Sequence, residues 1–239
     1  MPRTVTRASA VLLALGAAAY TAWVLEVLIG TGLDPVRTYV SELAASDQPL
    51  GGLFRATDLA AGLLVLAGAT LWLLRRRGTR TGSEGSHGAR FRDASWALVG
   101  RIALLAFGAA TAVDSRLPLS CAPTADPVCA ARETAGLVPA THTAHAVSST
   151  LAMTGALVAM IALTVAARRH GHPRPLARTG PVLVALELAA TGWTLAAVAA
   201  FEAGKGTWAL GAGQRLQVLL VALWLAVLAY SLAATEEER

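Results

Sequence analysis

His142 and His145 open a long apolar run, and Asp114 closes the run before it. A spacing of three puts both imidazoles on one helical face, about one turn apart. With a carboxylate, such a pair can hold a divalent metal such as zinc and leave one position open for water, which is the chemistry of a hydrolase. The plainer reading, and the preferred one, makes His142 and His145 hydrogen-bonding residues at a helix start, beside Thr141 and Thr143, with no cofactor expected. Glu26, Arg55, Asp58, Glu187 and Arg215 also stand inside or at the edges of apolar runs. Ionisable groups there are costly and face a bundle interior or a wet cavity. Arg55 and Asp58 are three apart and can pair, as can Arg215 with Glu26 or Asp114, and the same groups can hold a ligand or a lipid headgroup. Glu187 suits a buried neutral carboxyl with a helix-backbone partner, or else a proton carrier.

The elements that position these residues are apolar. Hydrophobic residues make up 55% and charged residues 15% of the 239, and mean hydropathy is +0.55. Soluble domains average roughly 45–50% apolar and about 25% charged. Runs of about 20 apolar residues cross a hydrocarbon core of about 30 Å as helices. The expected fold is all-α, a polytopic membrane protein forming one six-span bundle, with spans at about 9–31, 53–74, 95–114, 143–167, 181–201 and 213–233. The basic start and Ala17-Ala18-Ala19 also fit a signal peptide, but the apolar run continues past any such cleavage site. Between spans 1 and 2, Asp34-Pro35 reads as a helix cap, and Val36, Val40 and Leu43 recur at helical spacing, so a short helix in the interface plane is expected there. Segment 75–95, rich in Arg, Gly and Ser, reads as a flexible loop, and segment 114–149 as an ordered one.

The basic residues decide the orientation. Arg3, Arg7, Arg75, Arg76, Arg77, Arg80, Arg90, Arg92, Arg168, Arg169, Arg174, Arg178 and Arg239 fall on the side of the termini, against Arg37, Arg116, Arg132 and Lys205 in the opposite loops. Lys/Arg-rich loops are cytoplasmic, so both termini are expected in the cytoplasm. The loop holding Cys121 and Cys129 then faces an oxidising exterior, where a Cys121–Cys129 bridge is expected. Glu26, Arg55, Asp58, Asp114, His142, His145 and Arg215 all project to a similar depth near that outer side, which implies a polar pocket open outward. His87, His170 and His172 lie on the other side and cannot join it. The pI near 10.0 reflects basic loops against headgroups; membrane lipids are the expected partners, nucleic acid is not, and a homo-oligomer stays open. There is no Walker motif, no dinucleotide fingerprint and no nucleophile elbow.

Two stretches carry a family likeness. One is Tyr39-Val40-Ser41-Glu42-Leu43-Ala44 with Pro49 and the segment LFRATDLAAGLL at 53–64; the other is Asp114, LPLSCAPTADPVC at 117–129 and His142-x-x-His145. Together they resemble the domain-of-unknown-function family 998, six-span bacterial membrane proteins common in actinobacteria. The resemblance implies a six-helix bundle in the bacterial plasma membrane and carries no established activity. It adds Ser41 and Glu42 to the candidate pocket. The resulting expectation is a membrane protein whose outward pocket binds a lipid headgroup or small polar ligand. The alternatives are a metal-dependent lipid hydrolase on His142, His145 and Asp114, assisted by Ser41, Glu42 or Asp58, and a small-solute transporter.

Overall fold

Backbone amides inside a hydrocarbon layer have no water to bond, so each long apolar segment satisfies them within itself, as a helix. A computed structural model describes residues 2–75 and 87–237. Its helices are α1 (Pro2–Tyr20), α2 (Gly51–Arg75), α3 (His87–Asp114), α4 (Pro127–Thr134), α5 (Ala140–His170), α6 (Arg174–Glu202) and α7 (Leu210–Glu237), with no strand among the described residues. Six segments are long and apolar enough to cross a membrane, and only the short α4 is not among them.

The long helices close a ring in chain order. α1 packs on α2, α2 on α3, α3 on α5, α5 on α6, α6 on α7, and α7 on α1, while α5 also touches α7. Leu13, Leu104, Phe107, Met160, Trp224 and Leu225 are fully buried in the shared core, whereas Leu63, Ile102, Leu151 and Leu195 face outward. Lipid is as apolar as these outward residues, so helix association depends on close packing. Glycine supplies it between α2 and α3. A Cβ on Gly62 would stand 2.5 Å from Ala112 N, and one on Gly108 would stand 2.7 Å from Leu66 N.

The six long apolar helices expected are present, and they differ from the expectation in detail. The α-helix of the first span stops at Tyr20, and residues Ala22–Val27 tighten into a 3-10 helix. Trp23, Val24 and Val27 are poor helix formers, and the tighter turn carries Glu26 inward, where it is buried. The short helix expected between spans 1 and 2 is a 3-10 helix, Val40–Ala44, preceded by a turn in which the Asp34 side chain accepts from Val36 N at 2.9 Å. Glu42, Leu43 and Ala44 are buried, so this piece packs into the end of the ring rather than lying along a surface. The Cys loop contains a helix, α4, started by Asp126, whose side chain accepts from Val128 N, and by Pro127 in the first turn. Helix α3 begins at His87, inside the segment 75–95 expected as a loop; residues 76–86 of that segment lie outside the described residues.

Candidate functional site

Along α2, Phe54, Asp58, Ala61, Val65 and Ala69 recur at spacings of three and four, the stripe a helix turns toward its neighbours. Phe54, Ala61, Val65 and Ala69 are at most 4% exposed. Asp58 interrupts this core stripe with a carboxylate, about 10 Å along the helix from its start. There the ring encloses a cavity of about 130 Å³. α1 and the turn after it contribute Tyr20 and Trp23, α2 Phe54 and Asp58, α3 Thr111 and Asp114, α5 Ser149 and Met153, and α7 Gln214 and Gln217. Val40, Ser41, Leu43 and Ala44 of the 3-10 helix cover it.

Asp58 makes no hydrogen bond and no ion pair with any described residue, and the expected Arg55–Asp58 pair is absent among them. Arg55 instead turns back to the cover, donating from Nη1 to Ala44 O at 2.7 Å and Ala45 O at 3.3 Å. The physical reason is reach: Arg55 lies one turn nearer the start of α2, beside the carbonyls at the end of the 3-10 helix. Asp114 is held through one oxygen. Ser148 Oγ donates a short hydrogen bond to Asp114 Oδ1, and His145 Nδ1 lies 3.1 Å from the same atom, out of line for a hydrogen bond. Asp114 Oδ2 accepts nothing from the described residues.

Most other predicted site residues fasten the cover. Glu42 reaches the Cys loop, its carboxylate accepting from Thr124 N at 2.7 Å and Thr124 Oγ1 at 2.5 Å. Burial pushes the Glu42 carboxyl up to about 7, with the two Thr124 bonds opposing the rise. Ser46 N donates to Leu119 O at 2.8 Å, a second tie to the same loop. Val40 N donates to Gln214 Oε1 at 2.9 Å, which ties the cover to α7. Arg215 grips Glu26 with two bonds, Nε to Oε1 at 2.6 Å and Nη2 to Oε2 at 2.7 Å, and donates from Nη1 to Thr38 O at 2.8 Å. Of the two partners expected for Arg215, Glu26 is the one it finds; both side chains are buried, and the planar guanidinium matches the carboxylate edge. Cys121 and Cys129 stand at disulfide distance, their Cα atoms 6.0 Å apart, and tie the loop before α4 to its first turn.

The histidines separate. His142 Nδ1 accepts from Ser120 N at 3.0 Å, which makes Nε2 the protonated nitrogen, and Nε2 lies 3.3 Å from Glu133 Oε1. Both of its nitrogens therefore serve the Cys loop, while His145 turns to Asp114. His142, His145 and Asp114 form no group able to hold a metal ion among the described residues. Glu187, expected toward the inner end of its span, lies midway along α6, because the helix starts earlier, at Arg174. Its partners are side chains and not a helix carbonyl: Thr191 Oγ1 donates to Oε1 at 3.4 Å, and Gln217 Nε2 approaches it at 3.5 Å.

Ser41, Asp58 and Asp114 thus line the cavity, and Glu26, Glu42, Arg55, His142, His145 and Arg215 lie outside its lining. Tyr20, Trp23, Thr111, Gln214 and Gln217 line it without having been expected. Gln214 and Gln217, three apart at the start of the last apolar run, were the legible signal, since two amides on one face at a span's end need partners.

A family model described as protein of unknown function (DUF998) matches residues 13–231. The chain belongs to the DUF998 family. The matched range takes in every cavity residue and both cysteines, so the DUF998 region and the helical ring coincide. Comparison with curated proteins and with solved structures returns no match.

Proposed function

We propose that this DUF998 protein is a multi-pass plasma-membrane protein whose cavity is an outward-facing binding site for a lipid headgroup or a small polar ligand. Asp58 carries the reading. A carboxylate placed in the core stripe of a membrane-spanning helix, facing a cavity and without a protein partner, is a group awaiting a ligand. The volume of about 130 Å³ suits a headgroup-sized moiety, being well below the roughly 300–1,000 Å³ of sites for larger ligands. The arginine distribution supports cytoplasmic termini, and a bridge at Cys121 and Cys129 suits an oxidising exterior next to the cavity.

Native mass spectrometry of the chain purified in mild detergent tests this. Added mass of one small molecule or lipid is expected on the wild type and is expected to be lost from Ala152→Phe, which fills the cavity from α5. Wild-type and Ala152→Phe spectra with the same bound mass, or none on either, would refute the site.

A second reading, a small-solute transporter, rests on one observation. Gln217 lines the cavity and its Nε2 donates to Thr191 Oγ1 at 2.9 Å beside Glu187, so polar groups continue from the cavity toward the middle of α6. Flux in proteoliposomes that Glu187→Gln abolishes would establish it. The hydrolase alternative has no such support, because the histidines point to separate partners.

A further inference from the structure

We infer that the cavity takes an organic ammonium ion, with Asp58 as its counter-charge and the rings of Tyr20, Trp23 and Phe54 as its walls. The inference rests on the reading of the cavity as a ligand site and names the ligand's class.

Charge comes first. The cavity is lined by two carboxylates, Asp58 and Asp114, and by no Lys, Arg or His. His145 approaches Asp114 from outside the lining, and Ser148 bonds the same oxygen, so part of that charge is already served. Asp58 makes no hydrogen bond and no ion pair among the described residues, and its one favourable charged neighbour there, His145, lies outside the lining. Arg55, the nearest basic residue in sequence, is committed to the carbonyls of Ala44 and Ala45, and Arg215 is saturated by Glu26, Thr38 O and Gly211 O. An ionised carboxylate without a counter-charge inside a span is strongly disfavoured, and a bound cation removes that penalty. An anionic group such as phosphate would meet two carboxylates and no donor cation.

The walls separate an organic cation from a bare metal ion. Aromatic faces attract cations whose charge is spread and weakly hydrated, and ring cages are the recurrent protein solution for substituted ammonium groups. Tyr20, Trp23 and Phe54 come from three different elements, and all three line this cavity. A divalent metal would need three or more hard donors, and no such group of His, Cys, Asp or Glu occurs among the described residues. The neutral polar groups at hand, Ser41, Gln214 and Gln217, suit the hydroxyl or ester oxygens an ammonium compound carries. Such an ammonium has two sources of one chemistry, an ethanolamine-type lipid headgroup or a free amine.

The test is isothermal titration of the full chain in phosphatidylglycerol nanodiscs, which hold no amine, with ethanolamine, tetramethylammonium, glycerol and inorganic phosphate at matched ionic strength. Binding of at least one of the two ammonium probes is expected, with glycerol and phosphate silent. Asp58→Asn is expected to weaken it by roughly 30-fold or more, the usual effect of deleting one partner of a desolvated charge pair. Asp114→Asn is expected to weaken it less, and unchanged thermal midpoints of both variants show that they fold. Repeating the titration in nanodiscs containing phosphatidylethanolamine separates the sources: competition identifies the lipid headgroup, and unchanged affinity identifies a free amine. Should glycerol or phosphate bind as well as the amines, in a manner lost in Ala152→Phe but kept in Asp58→Asn, the cation class is wrong and the ligand site stands. If no probe binds and no lipid co-purifies, both fall.

Discussion

Replacing Glu42 by Gln is predicted to remove a pH dependence of stability that the wild-type chain carries between about pH 4.5 and 7. Glu42 lies outside the spans and is completely buried, and among the described residues its carboxylate accepts hydrogen bonds only from Thr124 of the Cys loop. Burial disfavours the charged form and lifts the carboxyl from 4.5 to about 7; the Thr124 bonds and the charge of Arg215 pull the other way, and Glu133 adds a small push upward. The folded chain therefore holds a proton through a window in which the unfolded chain has released it. Stability from this group is fully present below about pH 4.5 and is lost as pH rises through about 7. At about 1.4 kcal/mol per pKa unit, the loss is about 3 kcal/mol. The amide introduced by Glu42→Gln does not titrate, yet it can keep both contacts, its Oε1 accepting from Thr124 N–H and its Nε2 donating to Thr124 Oγ1. Denaturant titrations in detergent at several pH values, run on both proteins, read the difference directly. The wild type is expected to lose stability relative to Glu42→Gln as pH rises across the window. Parallel curves would show that Glu42 is not buried as described, and would refute the account of the cover.

Three further predictions concern how the ring is held. Arg215→Leu alone will cost about 3–5 kcal/mol of unfolding free energy, because Glu26 is left as a buried charge without its partner, and Glu26→Leu added to it will recover a large part; equal stabilities of the single and double variants would disprove the pairing. Gly108→Leu will cost about 1–3 kcal/mol or more in the same assay, since α2 backbone fills the space its Cβ needs. Gly192→Ala, where nothing lies within 4 Å, will instead be neutral or gain about 0.5–1 kcal/mol.

The six long helices, though not their limits, were legible from the chain because an apolar run has one solution in lipid: the backbone must bond to itself, whatever its neighbours are. The family likeness was legible for a related reason, since Tyr39–Ala44, Asp114 and the cysteines are recognisable as residues, without coordinates. Partner choice was not legible. Glu26, Arg55, Asp58, Asp114 and Arg215 share a depth, and depth permits several pairings; only the ring order of the helices and the 3-10 turns at Ala22–Val27 and Val40–Ala44 select Glu26 for Arg215 and leave Asp58 alone. Helical spacing likewise put His142 and His145 on one face, but residues three apart diverge by about 60° at 3.6 residues per turn, enough for one to serve Ser120 and the other Asp114. Residues such as Tyr20 and Thr111 carry too small a desolvation penalty to stand out in a sequence, so their place in the cavity was settled only by the packing of α1 and α3 around it. The sequence alone determined which residues must be hidden from lipid; tertiary structure decided which of them found each other, and so which carboxylate was left facing an open space.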